Sequence, residues 1–189
     1  GQGDSTLIVD NDEAMLIDGG LANQSQKIYT ILKEKGIDTL SYVVATHPHA
    51  DHVGGLSAAL EAAYCKQILV PYTESENTTY NKFLKKAEEK NVPVNVASDG
   101  DTFSLGEATI QVLGSTDILH NEENNNSIVL RMDYKDVSFL FTGDAEQLEE
   151  QLILYNHFDE VNVDILKAGH HGSYNAASSA WLNAVSPSY

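Results

Sequence analysis

The chain has 189 residues, 42% hydrophobic and 21% charged, which fits a single domain over residues 1–189 and excludes a disordered or collagen-like protein. Its formal net charge is −17, and its 11 basic residues are scattered, so it has no strong nucleic-acid-binding surface. The single cysteine, Cys65, excludes an internal disulfide and a multi-cysteine zinc site.

The sequence contains no membrane segment, since no apolar run approaches the ~20 residues needed to cross a bilayer. The abrupt start at Gly1 and the end at Tyr189 indicate a domain truncated at both ends from a longer protein. Localisation is not fixed by the residues. A signal or membrane part outside residues 1–189 would make the protein extracytoplasmic or part of a membrane-anchored protein.

Hydrophobic patterning predicts alternating strands and helices. Strands are predicted at 5–10, 14–18, 40–46, 67–71, 92–97, 102–105, 108–113, 127–134, 137–142 and 163–168, and helices at 25–35, 56–63, 78–90, 145–155 and 178–185. This order favours sheets covered by helices. Neither a GxGxxG nor a Walker sequence is present, so a nucleotide-binding sheet is disfavoured.

The strongest chemical signal is the segment Thr-His-Pro-His-Ala-Asp-His at 46–52, where a predicted strand ends. It supplies His47, His49, Asp51 and His52 within six residues. A loop after a strand can turn imidazoles two residues apart toward one ion while the carboxylate and the last imidazole reach a second. The two following glycines let the backbone turn tightly into a helix. A solvated histidine-rich turn is the less favoured interpretation.

Two later strands also end in a glycine and a potential ligand. Asp144 follows the predicted strand 137–142, and its two oxygens can bridge ions roughly 3.5–4 Å apart. Taken alone, Gly-Asp is more often a plain turn. His170 and His171 follow the predicted strand 163–168. Adjacent side chains of an extended segment point in opposite directions, so we expect only one of the two to be a ligand. We favour His171 as the ligand and His170 as a hydrogen-bond donor or proton carrier; the reverse order and a structural role for both are the alternatives.

Together, His-x-His-x-Asp-His, strand-Gly-Asp and Gly-His-His-Gly-Ser resemble the motifs of the metallo-β-lactamase superfamily. Four further segments resemble the ComEC-like branch, named for the hydrolase-like domain of a DNA-uptake (competence) protein. They are Gly-Gln-Gly-Asp-Ser at 1–5, Leu-Ile-Asp-Gly-Gly at 16–20, Asn-Asn-Asn-Ser at 124–127 and Leu-Lys-Ala-Gly-His-His-Gly-Ser at 166–173. The similarity covers nearly the whole chain. Bacterial phosphorylcholine esterases of the superfamily have these motifs in a similar order along the chain.

The resemblance implies an α/β fold, an αββα sandwich of two mixed β-sheets flanked by helices. It also implies two divalent ions, zinc in the first place and manganese as the alternative, and hydrolysis by a metal-bridging hydroxide. The implied metal ligands are His47, His49, Asp51, His52, Asp144 and His171. The implied catalytic residues are Asp51, which would also orient the attacking water, and His170.

The chain departs from many members of the superfamily where they have a further histidine ligand. It has Asn-Asn-Asn-Ser at 124–127 there, so the first ion would depend on solvent or an amide oxygen, or on His120 as a substitute. Asp18 either orients a metal ligand or caps a turn. An exposed turn is the ordinary interpretation of Asp4, with a hydrogen bond under the site as the alternative. A solvated strand end is the ordinary interpretation of Lys167, with phosphate contact as the alternative.

Three functions follow as alternatives. The first is a metal-dependent phosphodiesterase or nuclease, with single-stranded DNA as a partner of the longer protein. The second is a phosphorylcholine-esterase-like hydrolase of small or cell-envelope substrates, which an acidic surface tolerates better. The third is a metal-stabilised, non-catalytic binding module.

Overall fold

A computed structural model describes residues 2–114 and 122–189. Their contacts divide the chain into two compact units, Gly1–Val96 and Ala97–Tyr189. Each unit has its own five-stranded sheet and its own helices.

The first unit alternates strands and helices, as the patterning predicts. Its elements are β1 (Thr6–Asp10), β2 (Glu13–Ile17), α1 (Ser25–Glu34), β3 (Thr39–Leu40), β4 (Tyr42–Val44), α2 (Ala50–Val53), α3 (Leu56–Ala62), β5 (Tyr64–Cys65), β6 (Ile68–Val70), α4 (Thr78–Glu89) and β7 (Val94–Val96).

The main sheet of this unit has the strand order β1-β2-β4-β6-β7. β1 and β2 form an antiparallel hairpin closed by a two-residue turn, in which Asn11 has a φ of 53°. The other pairs are parallel. Val43 and Val44 are both 0% exposed, because a central parallel strand is covered on both faces.

The neighbouring parallel strands β2 and β4 place the early histidine segment. Ile17 is paired with Val44, so the residues that follow each strand leave the same edge of the sheet side by side. Asp18 follows β2 directly, and Thr46 and His47 follow β4 two residues later.

The second unit contains β8 (Thr102–Leu105), β9 (Ala108–Val112), β10 (Leu130–Tyr134), β11 (Val137–Phe141), α5 (Gln147–His157), β12 (Ile165–Lys167) and α6 (Ser179–Val185). Its sheet has the order β12-β11-β10-β9-β8 and is antiparallel except for the pair β11 and β12. Phe141 is paired with Lys167, so Asp144 and His170 both follow strands that end at one edge.

Helix α5 carries its charges inward. Glu149 and Glu150 are 0% and 2% exposed, whereas Leu148 and Tyr155 are 43% and 87% exposed. Burying a carboxylate is costly unless hydrogen bonds compensate. Glu150 accepts backbone N–H groups immediately before α6, which accounts for its inward position.

The predicted fold class, α/β with two mixed sheets and flanking helices, is confirmed. Two details of the prediction are wrong. The predicted strand 40–46 is divided at Ser41 into β3, which pairs with β5, and β4, which belongs to the main sheet. The predicted loop after His47 contains the short helix α2. Within the ranges described, no helix is long and apolar enough to cross a membrane.

Candidate metal-binding clusters

Asp18 is the centre of the early cluster, which comprises Asp4, Asp18, Thr46, His47, His49 and His52. Its side chain is buried, and its backbone has a φ of 57°. Asp18 Oδ1 accepts the Thr46 backbone N–H at 2.9 Å, and Oδ2 accepts the Thr46 hydroxyl at 2.8 Å. Oδ2 also lies 2.7 Å from His52 Nδ1. Asp18 therefore connects the end of β2 to Thr46 and His52, and its role in orienting a metal ligand stays a prediction.

This network assigns the tautomers of two imidazoles. A carboxylate can only accept, so His52 donates from Nδ1 and carries its lone pair on Nε2. Thr46 gives its hydroxyl proton to Asp18, so its oxygen accepts from His47 Nδ1, 3.0 Å away. His47 then also carries its lone pair on Nε2. Carboxylate-oriented histidines of this kind are typical of metal ligands.

The three imidazoles of the early cluster are close together. The ring centroids of His47 and His49 are 4.8 Å apart, and those of His47 and His52 are 4.2 Å apart. His47 and His49 place possible ligand atoms within 4.8 Å of each other, as do Asp4 and His52. Asp4 is half-buried, so its interpretation as an exposed turn is wrong. Among the described residues Asp51 supplies no atom to these two pairs, and its role as a ligand stays a prediction.

Gly54 and Gly55 are needed for close packing, not for a special backbone angle. Their φ values are −58° and −93°, which any residue adopts, so the predicted tight turn depends on the absence of a Cβ and not on the backbone angle. A Cβ on Gly55 would lie 2.2 Å from the Gly19 carbonyl oxygen, and one on Gly54 would lie 2.4 Å from the Ala22 nitrogen. The backbone carrying the histidines is thus pressed against the loop that follows Asp18.

Asp144 is the buried carboxylate of the late cluster, which comprises Asn124, Asp144, Glu146, His170 and His171. It is 2% exposed, and its backbone N–H donates to Ser127 Oγ at 3.1 Å. Its Oδ2 lies 3.4 Å from His171 Nε2 and 4.0 Å from His170 Nε2. Both predicted histidines therefore lie near the predicted carboxylate within this unit.

The two histidines differ in their other contacts. His170 Nδ1 lies 2.9 Å from Glu146 Oε1, an oxygen that also accepts from Asn124 Nδ2 at 2.7 Å. Sequence reasoning missed Glu146, because a single glutamate outside a regular element carries no periodic signal, and it considered Asn124 only as a possible amide ligand. Glu146 follows Asp144 by two residues, and this short spacing was the signal in the sequence that could have indicated its place in the late cluster.

The expected geometry of the His170–His171 pair is wrong. The segment is not extended: His170–Gly172 forms a 3-10 turn, and the two histidines have φ values of 43° and 52°. Their ring centroids are 5.9 Å apart. Alternation along a strand therefore does not separate their roles, and the assignment of His171 as the ligand stays a prediction.

The amide oxygen of Asn125 is engaged with helix α5. It accepts the backbone N–H groups of Glu146 and Glu149 at 3.2 and 3.1 Å, which stabilises the start of α5. This use argues against Asn125 as the replacement for the missing histidine. His120, the other predicted substitute, lies outside the described residues.

Lys167 brings a positive charge to the late cluster. Its Nζ lies 3.5 Å from the carbonyl oxygen of Gly143, the residue before Asp144, and 3.2 Å from that of Ala168. The side chain is half-buried. Its ammonium group is thus held against the backbone that carries Asp144 and His170.

The donor chemistry of both clusters fits divalent cations. Buried or half-buried imidazole nitrogens accompany carboxylate oxygens in each, a combination that suits zinc, and a larger share of oxygen ligands favours manganese. Asp18 hydrogen-bonds an imidazole of the early cluster and restricts its orientation, and Glu146 lies 2.9 Å from an imidazole nitrogen of the late cluster. The sequence-predicted residues His47, His49, His52, Asp144 and His171 all belong to these clusters.

The two-sheet α/β fold and the histidine and carboxylate side chains of the two clusters define a class of protein. The comparison with known proteins supports the same class. The family model of the metallo-β-lactamase superfamily matches residues 1–189, and the chain belongs to this superfamily. A mutant metallo-β-lactamase from Cronobacter sakazakii superimposes with a TM-score of 0.60 at 16% identity, covering 98% of this chain and 86% of that one. At such identity the likeness concerns the fold alone.

Proteins of related sequence assign the chain to a narrower group within this superfamily. ComE operon protein 3 of Bacillus subtilis is 30% identical over 156 residues, 82% of this chain and 20% of the relative. Recombination protein 2 of Haemophilus influenzae is 28% identical over 192 residues, 99% of this chain and 22% of the relative. The predicted resemblance to ComEC-like competence proteins is confirmed. The chain spans about a fifth of the length of these relatives.

Proposed function

We propose that this chain is a metal-dependent phosphodiesterase of the ComEC-like branch. Its proposed ligands for two divalent ions, zinc or manganese, are His47, His49, Asp51, His52, Asp144 and His171. The observation that carries the proposal is the Asp18 network, which fixes His47 and His52 as lone-pair donors through Nε2 in a chain of this superfamily. Imidazoles oriented in this way serve metal binding better than packing.

The roles of the residues follow from these contacts. Bound divalent ions would lower the pKa of water toward roughly 7 and polarise a phosphoryl oxygen. Asp18 orients His52 directly and His47 through Thr46, so these two imidazoles reorganise little when metal binds. Asp51 is proposed as the residue that orients the attacking water, and Asp144 as the ligand shared by both ions.

His170 is proposed as the group that contacts the substrate. Glu146 Oε1 lies 2.9 Å from His170 Nδ1, and Nε2 on the opposite side of the ring is proposed to hydrogen-bond a phosphoryl oxygen or to carry the proton of the leaving group. Asn124 in turn fixes the Glu146 carboxylate. The Glu146 carboxylate, which Asn124 fixes, would thus lie against one side of the catalytic His170 imidazole.

An anionic substrate is supported by Lys167, whose ammonium lies beside the backbone of Asp144 and His170. The net charge of −17 opposes tight binding of long duplex DNA. We therefore propose a phosphodiester as the substrate of this chain, and single-stranded DNA as a partner of a longer protein that contains it.

Turnover of bis-p-nitrophenyl phosphate tests the proposal, with zinc and manganese added in turn to metal-stripped protein. We expect metal-dependent release of p-nitrophenol that Asp144→Asn abolishes. Asp136→Asn is the matched control, because that aspartate lies on an exposed turn of the same unit. Faster turnover of p-nitrophenylphosphorylcholine would favour the phosphorylcholine-esterase alternative. Metal binding without turnover of either ester would favour a binding module.

A further inference from the structure

Tyr174 is an exposed aromatic residue beside the late cluster. It is 95% exposed and lies three residues after His171. Burial of a large apolar side chain stabilises a fold, and a ring left in water contributes no such stabilisation. Three residues of chain span at most about 10 Å, which keeps Tyr174 within reach of a substrate held by His170 and His171.

The loop that carries Tyr174 is fixed by its own backbone. The Ser173 N–H donates to the His170 carbonyl at 2.8 Å, and the Ala176 N–H donates to the Ser173 carbonyl at 3.1 Å. The Asn175 carbonyl accepts the Gln147 N–H at 3.0 Å, which ties the loop to the first residue of α5. Backbone bonds therefore hold the residues on both sides of the exposed ring.

Two costly features hold the end of the same loop. The buried carboxylate of Glu150 accepts the backbone N–H groups of Ala177 and Ser178, the latter at 3.0 Å. Ala177 has a φ of 54°, a left-handed conformation that is unfavourable for a residue with a Cβ. The fold thus restrains a loop whose most prominent side chain packs against nothing, which is typical of a preorganised binding surface.

We propose that Tyr174 is a stacking platform for a nucleobase adjacent to the scissile phosphate. This inference rests on the proposed phosphodiesterase function and specifies its substrate as a nucleotide ester or a single-stranded end. Stacking suits any base, because each presents a π-face. It also supplies affinity that a chain with a net charge of −17 does not gain from phosphates alone.

Two substrates with the same leaving group test the inference: thymidine 5′-(p-nitrophenyl phosphate) and methyl p-nitrophenyl phosphate. For Tyr174→Ala we expect KM to rise roughly 5- to 150-fold with the nucleoside ester, the equivalent of about 1–3 kcal/mol per stacked base. We expect a change of less than about twofold with the methyl ester, and near-normal KM with Tyr174→Phe. Tyr155→Ala is the matched control, since that tyrosine is 87% exposed on α5.

Binding of thymidine 5′-monophosphate by calorimetry gives a readout that does not require turnover. Weaker binding by Tyr174→Ala, with Tyr174→Phe and Tyr155→Ala unchanged, supports the stacking role. Equal effects of Tyr174→Ala on both esters, or unchanged nucleotide binding, overturn it. A selective loss with p-nitrophenylphosphorylcholine also overturns it. If the wild type hydrolyses neither ester, the proposed function fails, and the calorimetry alone decides the role of Tyr174.

Discussion

The substitution Asp18→Asn tests whether the early cluster is built to bind metal. The Asp18 carboxylate accepts three hydrogen bonds, and two of them, from the Thr46 hydroxyl and from His52 Nδ1, end on Oδ2. An asparagine can keep the bond at Oδ1, but its amide would then present N–H groups to those two donors. His52 would lose its fixed tautomer, and His47 would lose its orientation through Thr46.

The expected magnitudes follow from these contacts. Loss of an orienting carboxylate weakens metal binding by about 10- to 100-fold. A hydrogen bond to a charged group is worth about 1.5–3 kcal/mol, and the free energy of unfolding of the metal-free protein should fall by about that amount. Metal affinity is measured by competition with a chromophoric chelator, and stability by urea denaturation in the presence of a strong chelator.

Asp38→Asn is the matched control in the same unit. The Asp38 side chain is 83% exposed and pairs with Lys33 at 3.3 Å, a surface contact worth about 0–1 kcal/mol. It should leave metal affinity unchanged. A metal affinity of Asp18→Asn within about twofold of the wild type would refute the assignment of Asp18 as the orienting group.

Four further predictions concern other positions. Asp144→Asn should abolish two-metal occupancy, as elemental analysis would show. Of the two adjacent histidines of the late cluster, His171→Ala should lose metal, whereas His170→Ala should retain metal and lose turnover. Gly55→Ala should lower the free energy of unfolding by about 3 kcal/mol, because its Cβ would overlap the neighbouring backbone. His157→Gln should remove a pH-dependent part of the stability, measured by denaturation across the neutral range.

The sign of the His157 effect follows from its surroundings. Burial lowers the pKa of His157, but hydrogen bonds with Asp99 and Glu160 outweigh it, so the pKa is raised above its ordinary value. A raised pKa means that the folded protein binds the proton more tightly than the unfolded chain. This stabilisation is fully present below the unfolded pKa of about 6.5 and is lost as the pH rises through the folded pKa.

Contrary outcomes are specific to each change. An unchanged metal stoichiometry for Asp144→Asn contradicts the shared-ligand role, and metal loss from His170→Ala instead of His171→Ala reverses their order. Gly100→Ala is the control for Gly55→Ala, since its Cβ would meet no atom within 4 Å and only its φ of 81° opposes alanine. An equal cost at both glycines contradicts the packing argument. A pH profile unaffected by His157→Gln contradicts the linkage.

The sequence predicted those parts of the fold that depend on local patterning. The β-branched segment before His47 and the helix beginning at Ser25 are regular in the structure because apolar spacing and turn residues coincide there. The division at Ser41 was not predictable, since it depends on pairing between β3 and β5, which are far apart in sequence. The inward position of Glu150 likewise depends on a loop 27 residues later in the chain.

The site was predicted at the level of residue types but not of contacts. Histidines and aspartates after strands are visible in the sequence, so both clusters could be located. The second carboxylates were harder to find: Asp18 lies 34 residues from His52 and is brought to it by the parallel pairing of β2 and β4. Glu146 reaches His170 only because β11 and β12 are parallel neighbours. The left-handed turn at His170 and His171 depends on tertiary context, so the expectation that their side chains point in opposite directions along an extended segment was wrong.

The central claim is that this chain binds two catalytic divalent ions, and the most direct test is metal content. Protein purified without chelator, and protein reconstituted with zinc or manganese, would be analysed for metal per chain by elemental analysis after gel filtration. We predict two ions per chain with at least one of these metals. A stoichiometry near zero under all three conditions would contradict the account.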